Sequence, residues 1–163
     1  MNGILAIDQG TTSSRAIIFS KSGKKLISSQ LEFKQFFPKN GWVEHNPNEI
    51  WSTTIKVTKN VLLKSKKLKI NIKALGITNQ RETTVCWEKR TGEPVYNAIV
   101  WQDRRTENYC KQIKKKAKLI RKKTGLFIDS YFSGTKIKWR IENIKKSKKL
   151  IKKMNLLFGT VDT

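Results

Sequence analysis

The sequence predicts an α/β fold in which a mixed sheet opens with an antiparallel meander and is flanked by helices. Three observations predict it: short apolar runs separated by turn residues begin the chain, a helix signal follows at Asn46, and strand-like runs then alternate with helical stretches. A meander followed by helix–strand units reads as a mixed sheet with helices packed on it.

The elements follow in order. Residues 4–7 form an apolar run that ends at Asp8, and Gln9 to Ser14 supply a Gly- and hydroxyl-rich turn. Residues 16–19 make a second strand, Lys21, Ser22, Gly23 and Lys24 a second turn, and residues 26–33 a third strand with partial alternation. Residues 38–47 read as a loop, with His45 a loop residue rather than a ligand, since no second His or Cys lies near it. Asn46-Pro47-Asn48-Glu49 announces a helix, with Asn at the cap, Pro at the first helical position and Glu three residues after the cap. Ile50, Trp51, Ile55, Val61 and Leu62 are expected on one side of it. Residues 72–77 and 83–87 read as strands, the second holding a buried, inert Cys86. Residues 98–101 form a short buried run, 104–118 and 135–144 read as helices, and 156–158 are the last apolar run.

Composition bounds the function. The chain has 163 residues, which fits one domain, and its charge is 35 − 12 = +23. Hydrophobic residues are 37% and charged residues 29%, so the core is present and the surface is Lys-rich, which excludes a disordered chain. No apolar run exceeds four residues, so no membrane-spanning helix is expected, and Asp8 interrupts any leader-like run. Two cysteines and one histidine argue against a disulfide framework and a Cys/His metal site. The expected setting is soluble, reduced and cytoplasmic.

The basic residues cluster in stretches 56–73, 111–123 and 136–153, each interleaved with Ile, Leu or Val, as on the solvated faces of amphipathic helices. Lys outnumbers Arg 28 to 7, and Ile (18) and Asn (11) are also abundant, a pattern that a compositionally biased genome yields without selection for binding. A basic nucleic-acid-binding module is the competing reading, but only Trp139, Arg121 and Arg140 supply aromatic or Arg readout within the Lys runs. Arg15, Arg81, Arg104 and Arg105 stand outside those runs in polar clusters.

Four clusters could carry chemistry. In the string from Asp8 to Arg15, a strand delivers a carboxylate, Gly10 allows a tight turn, and Thr11, Thr12 and Ser13 offer hydroxyls and backbone N–H groups suited to phosphate oxygens. Arg15 adds a guanidinium fork and Asp8 could hold Mg²⁺. A Walker A ending is absent. In the second cluster, Arg81 can donate to hydroxyl oxygens and Glu82 can accept from hydroxyl protons, a pair that grips a small polyol. In the third, Trp101 could present an indole face to a C–H surface or lie in the core, and Asp103 could cap the next helix. In the fourth, Tyr131 could reach a ligand and Ser133 could cap a helix.

Together these strings, with residues 41–45, 76–83, 96–106, 131–136 and 158–163, resemble the FGGY family of carbohydrate kinases over essentially the whole chain. Within that family the string from Asn79 to Thr83 resembles members that phosphorylate glycerol rather than xylulose or gluconate. The resemblance implies an actin/hexokinase-like ATPase (ribonuclease H-like) fold, ATP and Mg²⁺ as cofactors, and sn-glycerol 3-phosphate as product. It implies that Asp8 serves the Mg²⁺–phosphate region and that Thr11, Thr12, Ser13 and Arg15 line the nucleotide's phosphates. Arg81, Glu82 and Tyr131 would hydrogen-bond glycerol, and Trp101 would pack on its carbons. The family's general base lies in a later Gly-Asp-Gln segment, and none of Asp8, Asp103, Asp129 and Asp162 stands in one. The expectation is therefore an N-terminal kinase domain over residues 1–163 without its general base or C-terminal ATPase domain, inactive alone and a homo-oligomer in full-length form. The alternatives are an inactive remnant of a decayed or split gene, or another sugar kinase of the family.

Overall fold

A computed structural model describes residues 1–161; Asp162 and Thr163, which end the last of the resembling strings, lie outside the described residues. In chain order the elements are strands β1 (Asn2–Gln9), β2 (Ser13–Ser20), β3 (Lys25–Glu32), β4 (Gln35–Phe36) and β5 (Glu44–His45), then helix α1 (Pro47–Lys67). Strands β6 (Asn71–Asn79), β7 (Thr84–Glu88) and β8 (Ala98–Ile99) follow, then helices α2 (Glu107–Gln112), α3 (Ala117–Thr124), α4 (Ser133–Asn143) and α5 (Lys145–Lys152), and strand β9 (Leu156–Thr160). Two compact units result, one built on Met1–Gln35 with Asn46–Gln80, the other on Phe36–His45 with Arg81–Thr160.

The first unit holds the expected meander in a mixed sheet of order β3-β2-β1-β6, with β1–β2 and β2–β3 antiparallel and β1–β6 parallel. Alternation along β1 turns Leu5 and Ile7 inward, where they join Ala16, Ile18 and Ile27 and meet Val57 and Val61 of α1. The buried stripe of α1 is Ile50, Thr54, Val57, Val61 and Ser65, the spacing of one helical face. Trp51, expected on that face, is instead 65% exposed, because it lies a full 100° step from Ile50. The helix starts as its sequence announces: the Asn46 side chain accepts from Asn48 N at 2.9 Å, with Pro47 in the first turn. Asn46→Ala is expected to destabilise the first unit by about 1 kcal/mol, read as a lowered urea midpoint at unchanged slope.

The strands after β6 do not extend this sheet. With β4 and β5 they form a second sheet of order β4-β5-β8-β7-β9, in which β7 pairs with β9 from Thr84↔Thr160 to Glu88↔Leu156. Three sequence expectations change here. His45 is not in a loop: it lies on β5, paired with Ala98, and is fully buried. The helix expected over 104–118 breaks into α2, a 3₁₀ turn at Lys114–Lys116 and α3. The run from Lys111 to Lys118 carries five lysines, and only Lys111 finds an i,i+4 acid, Glu107 at 3.1 Å, so like charges oppose a continuous helix. Finally, Lys136 and Arg140, assigned by sequence to a solvated face, are fully buried on α4. Cys86 is buried as expected, and burial pushes its thiol pKa up.

Candidate functional site

The first group of site residues sits where β1 turns into β2. Gly10 N donates to Ser13 O at 3.0 Å, and a Cβ on Gly10 would stand 3.2 Å from that oxygen, so the tight turn favours glycine. The turn is braced on several sides. Gln35 Nε2 donates to Thr11 O at 3.0 Å, Phe33 N to Thr12 O at 3.2 Å, and Gln30 Nε2 to Ser13 Oγ at 2.9 Å. Ser14 Oγ bonds Thr53 Oγ1 at 2.8 Å, which anchors the turn to α1. Thr12 is exposed, Thr11 half-buried and Ser13 buried. Asp8 and Arg15 face each other across β1 and β2, with an ion pair of 3.7 Å at roughly 40% side-chain exposure on both sides. The result is a rigid, half-exposed turn presenting a carboxylate, a guanidinium and threonine hydroxyls. A polyphosphate with its counter-cation suits that set.

The second group lies in the other unit. Glu82 adopts a left-handed backbone, φ +64°, rare for a non-glycine residue and costly unless its surroundings hold it. Those surroundings are visible. Its carboxylate Oε2 accepts from Ser133 N at 2.8 Å and Ser133 Oγ at 2.6 Å, and its carbonyl accepts from Lys136 Nζ at 3.0 Å. Glu82 thereby caps α4, the role the sequence suggests for Ser133; the residue at the cap position, Phe132, makes no side-chain cap bond. Lys136 Nζ also donates to the Tyr131 carbonyl. The Tyr131 ring meets Trp101 edge-to-face at 5.9 Å, and Trp101 N donates to Thr83 Oγ1 at 3.2 Å. Three of the four residues named for a polyol, Glu82, Trp101 and Tyr131, are thus joined in one half-buried cluster, while the Arg81 side chain is exposed. A cavity of about 440 Å³ adjoins it, lined by Glu82, Asp129, Phe132, Ser133 and Thr135 among others.

Sequence reasoning missed an ion centre in the same unit. Asp103 is no helix cap: its carboxylate accepts from Val43 N at 2.7 Å and from Arg105 N, Nε and Nη2 at 2.8–2.9 Å. Arg105 Nη2 also reaches Glu44 at 2.7 Å, and Glu44 accepts from Tyr96 OH at 2.6 Å and Asn97 Nδ2 at 3.0 Å. The Arg105 guanidinium lies 3.8 Å from the Trp42 ring centre and 4.6 Å from that of Trp139. Burial alone would raise the Glu44 pKa, but the bonds from Tyr96, Asn97 and Arg105 outweigh it and bring it below the ordinary value. The only sequence signal was Arg104 and Arg105 standing apart from the Lys runs.

Comparison with known proteins gives concordant results. Residues 3–163 match the N-terminal domain of the FGGY family of carbohydrate kinases. Over 162 residues, 98% of this chain, the sequence is 56% identical to the glycerol kinase of Geobacillus sp. and 58% identical to that of Thermoanaerobacter pseudethanolicus. The chain spans about a third (33%) of the length of each. Among solved structures, glycerol kinase of Plasmodium falciparum with ADP superposes with a TM-score of 0.92 at 38% identity, covering 100% of this chain and 33% of that one. Gluconate kinase of Lactobacillus acidophilus, at 20% identity and a TM-score of 0.81 over 98% of this chain and 31% of that one, shares the fold.

Proposed function

The chain belongs to the FGGY family of carbohydrate kinases, and from that premise we propose that it is the N-terminal part of a glycerol kinase, which transfers the γ-phosphoryl group of ATP to glycerol and releases sn-glycerol 3-phosphate. Its fold is the actin/hexokinase-like ATPase (ribonuclease H-like) fold of those kinases. The observation that carries the substrate is the cluster in the second unit. A carboxylate held in a strained backbone beside an edge-to-face Trp101–Tyr131 pair offers a hydroxyl acceptor next to a C–H-binding face, which is what a three-carbon polyol presents. Glu82 and Arg81 bond the hydroxyls, Tyr131 adds its phenol, and Trp101 covers the carbons.

The nucleotide reading rests on the braced turn and on ADP in the Plasmodium falciparum relative. Thr11, Thr12, Ser13 and Arg15 take the phosphate oxygens. No group of three or more His, Cys, Asp or Glu side chains that could hold a metal ion occurs among the described residues. Mg²⁺ keeps most of its waters and takes one or two carboxylates plus phosphate oxygens, and Asp8 would be the carboxylate here. The ion would supply charge neutralisation on the transferring phosphates. The part this chain plays is positioning and electrostatic: it fixes glycerol and orients the phosphates. The same reading makes the whole enzyme a cytoplasmic homo-oligomer. No helix among the described residues is long and apolar enough to cross a membrane.

The test joins this chain to the remaining two thirds of the Geobacillus sp. relative and assays ADP and glycerol 3-phosphate formation. Because Glu82 also caps α4, glutamine is the informative substitution. Glu82→Gln is expected to cost about 1.5–3 kcal/mol of transition-state binding, a roughly 10- to 150-fold fall in kcat/KM for glycerol, with KM for ATP unchanged. A rise in KM for ATP with glycerol kinetics intact would move Glu82 to the nucleotide and sink the assignment.

A further inference from the structure

We propose that Lys136 is a positioning residue for the polyol cluster: its buried ammonium ties together the backbones of Glu82 and Tyr131 and so holds both side chains in the shape that binds glycerol. The inference rests on the polyol reading above.

Lys136 is 0% exposed, and a fully buried lysine is rare unless it has partners. Both of its hydrogen bonds go to residues of the cluster, the Glu82 carbonyl at 3.0 Å and the Tyr131 carbonyl. Glu82 lies 54 residues earlier in the chain, so this one side chain joins two segments that no secondary structure joins. At φ +64° the Glu82 backbone needs holding. Lys136 holds its carbonyl end, and Ser133, one turn earlier on α4, holds its carboxylate. Tyr131 is fixed at its carbonyl by the same ammonium and at its ring by Trp101. The contrast within α4 is instructive. Arg140, four residues on and equally buried, donates to the carbonyls of Thr84, the first residue of β7, and Asn97, the residue before β8, neither of them in the polyol cluster. One buried cation of the helix therefore serves the sheet and the other serves the cluster.

The surroundings also explain a lysine here. Burial pulls its pKa down to about 8, while Glu82, Asp103 and Asp129 favour the charge and Arg104 opposes it; the Tyr131 ring, 5.9 Å away, also faces it. Loss of the proton leaves two N–H groups for two carbonyls, so the ties weaken without vanishing. The linkage has a distinctive sign. An unfolded lysine keeps its proton to about 10.4, so losing it at lower pH in the folded state makes stability rise with pH over that interval. Affinity for glycerol should fall over the same interval. A purely structural lysine would not drive the two apart.

The experiment is a glycerol titration of the isotope-labelled 163-residue chain, wild type and Lys136→Met, read at the aromatic signals of Trp101 and Tyr131, with the Ser133 amide as a second probe. Near neutral pH, Lys136→Met is expected to weaken glycerol binding at least about tenfold and to shift the Ser133 amide as Glu82 is released. Wild-type affinity is expected to fall roughly three- to tenfold between about pH 7 and 9.5, and the variant to show no such fall. Wild-type binding in Lys136→Met, or an unmoved Ser133 amide, overturns the proposal. If the variant does not fold, the wild-type profile decides, and a flat affinity through that range overturns it. If glycerol moves neither Trp101 nor Tyr131 in the wild type, the polyol reading itself falls, while the Ser133 amide still reports separately whether Lys136 holds Glu82.

Discussion

Replacing Arg105 with methionine is expected to destabilise the second unit by about 3–5 kcal/mol. Its side chain is 0% exposed, as is that of Asp103, and Glu44 is 2% exposed. Methionine can lie between the rings of Trp42 and Trp139, so the packing loss is modest. The electrostatic loss is not: two carboxylates stay buried without their cation, and a lone buried charge costs far more than an intact pair contributes. Arg105→Lys should fall between wild type and Arg105→Met, since an ammonium keeps the charge but not the fork that reaches Asp103 and Glu44 together. Urea unfolding followed by Trp fluorescence checks this, because Trp42, Trp87, Trp101 and Trp139 all belong to this unit. A loss below about 1 kcal/mol for Arg105→Met would show that the three charges are solvated rather than dry.

Acid should weaken the same unit from a neighbouring position. His45 is fully buried on β5, and burial holds its pKa down at about 4 against an ordinary 6.5. The unfolded imidazole therefore takes up a proton as pH falls from 6.5 toward 4, while the folded one resists it. Stability is full above 6.5 and is lost progressively down to about 4, by about 3 kcal/mol in all. Glu44, adjacent on the strand, has its pKa depressed below 4.5, so its contribution is present above that value and is lost at still lower pH. The two steps follow one another in a single acid unfolding. His45→Gln should remove the first step and leave the second. An unchanged urea midpoint between pH 6.5 and 4.5 in the wild type would mean that His45 carries its proton inside the fold, against the burial seen here.

The amino-acid sequence by itself determined the parts of this protein that are local. The meander, the Asn46 cap and the Gly10 turn are set by groups within a few residues of one another, and periodicity and cap chemistry report such groups directly. The candidate strings are local for the same reason: Asp8 to Arg15 spans the end of β1, one turn and the start of β2, and Arg81-Glu82 is one dipeptide. Family membership followed from those strings in order. What only the tertiary structure decided is which charges go inside. Lys136 and Arg140 sit four residues apart in a Lys-rich stretch and look like a solvated face. They are buried because the carbonyls of Glu82, Thr84, Asn97 and Tyr131 come to α4 and take donors from it. The pairing of Glu44 with Arg105 spans 61 residues, and that of Glu82 with Ser133 spans 51. A backbone acceptor lacking a partner exists only once distant segments have packed, so no window of sequence can show which lysine will be called on to fill it.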